Sequence, residues 1–220
     1  YIYRVIFNKK MKLNKKIKIK ISDKPVHYDL ALQEMKDHLS LMKINKSEEL
    51  IWFLEHDCIF TAGTSAKNED QQIFDKSLIR YTGRGGQWTW HGHGQRVVYI
   101  MLDLKQREQD IRKFIKLLQN WIIFTLKGFS LKGFTVDGHP GVWIKKNNNN
   151  YKIASIGIRI TNWITWHGIS INLNPDLSYF NQINPCGTNS INVTSIKNEG
   201  VKIDLKDLDD SLINNLKNYF

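Results

Sequence analysis

Apolar residues recur at helical spacing in three stretches of this chain and at strand spacing in several others. In Tyr28 to Leu41, the positions Leu30, Leu32, Met35 and Leu39 fall near the 3.6-residue period and predict an amphipathic helix. The stretch Gln109 to Lys127 does the same through Ile111, Phe114, Ile115, Leu118, Ile122 and Leu126, with Gly128 just past its predicted end. A closing helix is expected over Asp204 to Phe220. Glu49 to Phe60 (ELIWFLEHDCIF) is a strand-like apolar run, interrupted by Glu55, His56 and Asp57 and ended by Thr61-Ala62-Gly63. Arg96 to Leu102 and Trp163 to Leu173 read as further strands. Gly141 to Ile144 and Tyr151 to Ile160 flank the polar run Asn147 to Asn150, which predicts a hairpin. Arg84 to Gln95 reads as a glycine-rich loop.

Strands and helices are interspersed without a regular βαβ rhythm, and hairpins imply antiparallel pairing. The expected fold class is therefore α/β with an α+β character: one domain, a mixed β-sheet and flanking helices. No internal repeat or linker divides the 220 residues, a length that buries a proper core. The hydrophobic fraction of 41% argues against disorder, and no apolar run approaches the roughly 18 residues that span a bilayer. Two cysteines, Cys58 and Cys186, make no disulfide framework and suit a reducing compartment. The net charge is +11, and Tyr1 to Ile21 carries eight Lys or Arg and no acid. Residues 1–22 are thus expected to be a basic N-terminal segment, frayed or extended, ahead of a domain over 23–220. Met11 is a candidate start, and an organelle-targeting remnant is an alternative for a basic, acid-free segment. The abundance of Asn, Ile and Lys reads as A/T-rich coding rather than as chemistry.

Three segments carry candidate chemistry. In RGGQWTWHGHGQ (Arg84 to Gln95), glycines let backbone approach a ligand, and Arg84 and His91 supply charge or hydrogen bonds. It lacks the GxxxxGK[ST] pattern of a phosphate loop. In KIASIGIRI (Lys152 to Ile160), the isoleucines do not alternate cleanly, and Lys152 taken alone is a solvated strand-end lysine. In TWHGISINLNPDLSYFNQINPCG (Thr165 to Gly187), Cys186 sits in a turn, and His167 reads as a core or loop histidine. Taken alone, a lone thiol is a buried structural one. A lysine brought beside Cys186 would favour the thiolate, the nucleophilic form.

Together, in this order and spacing, the segments from about Trp52 (WFLEHDCIFTAGTS) to Gly187 resemble the octanoyltransferases of lipoate biosynthesis. That resemblance implies a fold shared with biotin- and lipoate-protein ligases and a catalytic domain over 23–220. It implies an acyltransferase that moves an octanoyl (or lipoyl) chain from acyl carrier protein to one lysine of a lipoyl domain. The recipients would be apo lipoyl domains of 2-oxoacid dehydrogenases and the glycine cleavage H protein. Cys186 would carry the acyl thioester, and Lys152 would lower its pKa and shuttle protons. Substrate-binding positions would fall on Arg84, Gly85, Gly86, Gln87, Trp88, Thr89, Trp90 and His91, on Ser155, Ile156 and Gly157, and on Gly168, Ile169 and Ser170. No cofactor or metal is implied, because the donor thioester is already activated. The expected protein is a cytoplasmic monomer without nucleic-acid or membrane partners, with a mitochondrion or plastid as the alternative location. His93 replaces a usual family proline, and Asp57-Cys58 a usual proline pair, which bears on substrate fit rather than on Lys152 or Cys186. The rival is an ATP-dependent lipoate- or biotin-protein ligase, which needs no cysteine; its adenylate signature with a following lysine is absent. A basic nucleic-acid module is a second rival, resting on charge and aromatics alone.

Overall fold

The computed structural model describes residues 2–5 (as backbone), 17–184 and 192–220. In chain order its strands are β1 (Ile2–Val5), β2 (Ile17–Ile21), β3 (Glu49–Leu54), β4 (Ile59–Ala62), β5 (Ile79–Tyr81), β6 (Trp88–His91), β7 (Gln95–Met101), β8 (Gly133–Val136), β9 (His139–Lys146), β10 (Asn149–Thr161), β11 (Ile164–Asn172) and β12 (Asn192–Val193). The helices are α1 (Tyr28–Lys43), α2 (Ile111–Gly128) and α3 (Leu205–Leu216).

The large sheet runs β1-β2-β3-β7-β11-β10-β9-β8, with β12 added beside β10. Pairing is antiparallel except for β2 with β3 and β10 with β12, so the sheet is mixed as expected. A small second sheet has the order β5-β4-β6.

Strand alternation sorts the core into two layers, since successive side chains leave opposite faces. Ile51, Phe53, Val98, Ile100, Ile169 and Ile171 pack with Phe114, Leu118, Trp121 and Ile122 of α2 and with Leu208 and Leu212 of α3. Leu50, Trp52, Leu54, Val97, Tyr99 and Met101 pack instead under Ala31, Met35 and Leu39 of α1. With both faces covered, β3 and β7 are buried along their whole length, which is why they read as continuous apolar runs. The Asp110 carboxylate accepts the Lys113 N–H at the start of α2, and α3 begins with a capping box between Asp204 and Asp207.

Four expectations change. The run Glu49 to Phe60 is two strands in two sheets, because β3 stops at Leu54 and β4 begins at Ile59. The residues between them bond elsewhere: a Glu55 carboxylate oxygen accepts the Gly94 N–H at 2.7 Å, and His56 bonds to the Val26 carbonyl and the Tyr99 hydroxyl. The glycine-rich loop contains a strand, β6. Gly128 lies within the last turn of α2, and Ser130, at φ 62°, turns the chain after it. The end of the basic segment is not a frayed tail. Residues 17–21 (IKIKI) form β2, with Ile19 in the α2 layer and Lys20 buried over the Trp52 ring and paired with Glu34.

Candidate functional site

Between the two sheets lies a cavity of about 370 Å³. One wall is the segment Arg84–His91, the opposite wall is β10 and β11, and Tyr28, Tyr99 and the Gly138–Pro140 turn complete it.

Each wall is positioned by a local device. In β6, alternation sends Thr89 and His91 to the cavity while Trp88 and Trp90 turn towards Phe60, Phe180 and Ile183. Trp88 still presents one edge to the cavity, with its Nε1–H donated to the Lys67 carbonyl at 2.7 Å. Trp90 does not reach the cavity. It stacks on Tyr179 at 4.7 Å and donates to the Cys58 sulfur, so the substrate contact expected of it is not where its ring lies. Gly85 is likewise off the wall, held by its N–H to the Ile158 carbonyl at 3.0 Å. That bond lays the loop onto the sheet, where Gly157 faces it: a Cβ on Gly157 would meet the Gly85 carbonyl at 3.1 Å and Arg84 Cδ at 3.3 Å.

Lys152 owes its place to a β-bulge. Lys152 pairs with Trp143 and Ala154 with Val142, leaving Ile153 as an extra residue. Ile153 and Ala154 therefore both enter the α2 layer, while Lys152 and Ser155 both face the cavity. This explains the imperfect alternation of KIASIGIRI. Lys152 is buried, not solvated; its side chain passes Gly141, where an added Cβ would meet Cε at 2.7 Å, and its Nζ lies 5.4 Å from the centre of the Trp143 ring. On its other side β11 has ended and β12 takes over, Val193 pairing with Lys152 and the Thr194 N–H bonding to the Lys152 carbonyl. Cys186 lies outside the described residues.

The polar groups of the cavity are desolvated. Arg84 is buried, giving Nε–H and Nη2–H to the Thr61 hydroxyl, Nη2–H to the Thr61 carbonyl and Nη1–H to the Gly85 carbonyl. Among the described residues no carboxylate lies within ion-pair distance of it, and burial lowers its pKa to about 10, leaving it a cation near neutrality. Burial also pushes His56 to about 4, and His91 and His167 to about 3 each, so all three imidazoles are neutral. Tyr28 is raised to about 12, mainly by burial. His167 reaches the wall through a left-handed backbone (φ 57°), its ring stacked 4.5 Å from that of its neighbour Trp166 and 6.2 Å from Tyr99. Among the described residues Gln87 Oε1, Thr89 Oγ1 and His167 Nε2 are buried without a hydrogen-bond partner.

The cavity thus gathers Arg84, Gly86, Gln87, Trp88, Thr89, His91, Lys152, Ser155, Ile156, Gly157, Gly168, Ile169 and Ser170 from segments far apart in sequence. Sequence reasoning missed Tyr28, Tyr99, His139 and the placement of His167 on its wall. Tyr28 and Tyr99 carried no signal beyond helix and strand periodicity. His167 did carry one, beside Gly168 within a strand-like run. No group of three or more His, Cys, Asp or Glu among the described residues is arranged to hold a metal ion.

The family model for the lipoyl protein ligase A/B catalytic domain matches residues 25–217. An octanoyltransferase of Bartonella quintana is 42% identical over 208 residues, covering 90% of this chain and 85% of its own. One from Wolbachia sp. subsp. Brugia malayi is 45% identical over 194 residues, covering 87% and 94%. Among solved structures, a bipartite lipoate protein ligase from Thermoplasma acidophilum superposes with a TM-score of 0.68 over 91% of this chain and 82% of its own, at 11% identity. A lipoate-protein ligase A bound with ATP gives 0.66 over 91% and 84%, at 12% identity. At such identities the structural likeness bears on the fold, whereas the curated relatives, matched nearly end to end, bear on the reaction. The chain belongs to the octanoyltransferases within the lipoyl protein ligase A/B catalytic-domain family, and is an acyltransferase of protein lipoylation.

Proposed function

We propose that this acyltransferase works through a Cys186 thioester with Lys152 as its proton carrier, taking octanoyl from acyl carrier protein and giving it to a lipoyl-domain lysine. The observation that carries the reading is the placement of Lys152, a buried amine on the cavity wall paired to β12, whose first residue follows Cys186 by six positions in sequence. A thiolate is both a nucleophile and a leaving group, as a route from thioester to amide requires. In the first step the Cys186 thiolate attacks the donor carbonyl, the carrier C–S bond breaks, and the carrier thiolate takes a proton from Lys152. In the second, the neutral lysine amine attacks the enzyme thioester, the bond to Cys186 breaks, and the amine's proton returns to Lys152. Protons and charge balance over the cycle without ATP. The alkyl chain is bound across the backbone of Ile156–Gly157 and Gly168–Ile169, where the two glycines leave the sheet bare, each buried methylene contributing about 0.8 kcal/mol.

Both protein partners are met through acidic surfaces that the +11 chain attracts. The protein acts as a monomer in the cytoplasm. Among the described residues no helix is long and apolar enough to cross a membrane.

Intact mass measurement after incubation with octanoyl-carrier protein tests the mechanism. An octanoyl adduct on Cys186, absent in Cys186→Ser and discharged by apo lipoyl domain without ATP, is expected. Transfer that proceeds with Cys186→Ser, or only with ATP, would overturn it.

A further inference from the structure

Gln95 belongs to the RGGQWTWHGHGQ motif but lines no part of the cavity, and it is 1% exposed. Its amide stands at the centre of a buried hydrogen-bond chain. His91 Nδ1 lies 2.6 Å from Gln95 Oε1. Gln95 Nε2 donates to Asn172 Oδ1 at 2.9 Å and to the Trp90 carbonyl at 3.2 Å. Asn172 Nδ2 in turn donates to the Thr194 carbonyl at 2.9 Å.

The direction of this chain is forced from its far end. A backbone carbonyl only accepts, so Asn172 must present its NH₂ to Thr194 and its oxygen to Gln95. Gln95 must then present its NH₂ to Asn172, an assignment the Trp90 carbonyl reinforces, and its oxygen to His91. An oxygen facing Nδ1 requires the proton to sit on Nδ1. His91 Nε2 is left bare, and it has no partner among the described residues while the ring lines the cavity. Burial chiefly keeps the ring from taking a second proton, and the Arg84 cation of the loop adds to it. The neutral rings of His56, from the β3–β4 link, and His167, from β11, face it without offering a counter-charge, and Tyr28 of α1 stacks over it at 6.5 Å.

We propose that Gln95 and Asn172 are positioning residues that lock His91 as the Nδ1–H tautomer, so that Nε2 is a fixed acceptor for an N–H of the incoming lysine amine. The assignment rests on the reaction proposed above. It excludes His91 from two roles a cavity histidine is usually given. With no proton on Nε2 it donates nothing to an oxyanion, and its low proton affinity makes it an orienting acceptor rather than the base. Of the groups that pass through the site during aminolysis, the amine is the one that carries N–H bonds and must be aimed at the thioester carbon. The chain also ends on Thr194, whose own N–H bonds to the Lys152 carbonyl, so the imidazole and the proton carrier are registered to one framework.

The test begins without substrate. Imidazole ¹⁵N shifts of His91 in the wild-type protein are expected to show a protonated Nδ1 and a bare Nε2 near neutrality. An Nε2–H tautomer or an imidazolium there would overturn the proposal whatever the reaction turns out to be. In Gln95→Met the same signals should turn into a tautomer mixture, with kcat for transfer to apo lipoyl domain down about 10- to 100-fold, the usual cost of losing such an outer partner. Gln95→Glu, which as a buried neutral acid offers a carbonyl oxygen to Nδ1–H and an O–H to Asn172 Oδ1, should restore the tautomer and part of kcat. A lost lock with kcat intact in Gln95→Met, or a restored lock with no recovery in Gln95→Glu, counts against the role. Failure of the Cys186 adduct with the tautomer as stated would sink the thioester reading and leave the lock standing.

Discussion

The two faces of the large sheet are made by the same strands, yet they are filled by different rules. Towards α2 and α3, the residues Ile51, Phe53, Val98, Ile100 and Ile171 meet Leu118, Trp121 and Ile122 in a mainly apolar layer whose charges are closed in a buried pair, Arg96 with Asp209 at 2.8 Å. Towards α1 the layer begins the same way, with Leu50, Trp52 and Met101. It then gives way, at Tyr99, to Arg84, His91, Lys152 and His167 around a cavity. One face accumulates burial energy, at roughly 1.5–3 kcal/mol per large side chain. The other spends part of that gain holding polar groups away from water. The lesson is that stability and chemistry are separated here by a single layer of β-strand, so substitutions one residue apart should fail in different ways.

The largest expected effect lies on the polar face. Lys152→Ala should lower octanoyl transfer about 10²- to 10⁴-fold, the usual worth of a positioned acid–base group, while the thermal midpoint moves little. A steady-state assay beside a melting curve checks both, and a collapse of the midpoint would merge the two faces. On the apolar face Trp121→Ala should do the opposite. It removes a fully buried indole whose Nε1–H reaches the Leu212 carbonyl, and denaturant unfolding should show a loss of about 3–5 kcal/mol with kcat per folded molecule retained.

Acid should act on the polar face first. His56, His91 and His167 have folded pKa values of about 4, 3 and 3 against 6.5 when unfolded, so below 6.5 the unfolded chain binds up to three more protons and stability falls with pH. Asp209, raised by burial from 3.8 to about 6, works in the opposite sense through one proton. The net of two protons gives a slope of roughly 3 kcal/mol per pH unit between about 6 and 4, measurable by urea unfolding at a series of pH values. A flat profile there would mean that the imidazoles are not buried neutral. The smallest effect belongs to neither face: Arg80→Ala breaks a half-exposed pair with Asp29 and should cost no more than about 1 kcal/mol, leaving transfer unchanged.

Much of this was legible in the sequence. The α2 stripe from Ile111 to Leu126, the hairpin across Asn147–Asn148 and the strand ending at Asn172 follow from periodicity, because each element buries one regular face. What escaped was wherever a second requirement overrode the period. The residues of β2 alternate plainly as Ile17, Ile19 and Ile21, but the surrounding lysines made charge the louder signal. The run Glu49 to Phe60 looked continuous because hydropathy does not record that Glu55 and His56 bond to Gly94, Val26 and Tyr99 instead of to a strand. In RGGQWTWHGHGQ the glycines hid the alternation of Thr89 and His91 against Trp88 and Trp90. Within the site, Lys152 and the segments Arg84–His91, Ser155–Gly157 and Gly168–Ser170 were singled out through the family motifs. Tyr28, Tyr99 and Gln95 were not, since their part depends on contacts across the fold.

The extra residue at Ile153 gives β10 something like a reading frame. Every side chain on the Lys152 side of the bulge is phased one position out of step with those from Ala154 onward. Deleting Ile153 would restore an unbroken ladder and leave Lys152 on the cavity face, because Lys152 and Ala154 would then be neighbours on opposite faces. Flattening the bulge with Ile153 retained would instead turn Lys152 towards α2 and bring Tyr151 towards the cavity. What this strand is sensitive to is therefore the shape of the bulge rather than the presence of its extra residue. A relative lacking the extra residue would keep both the fold's outline and the lysine's place on the cavity wall.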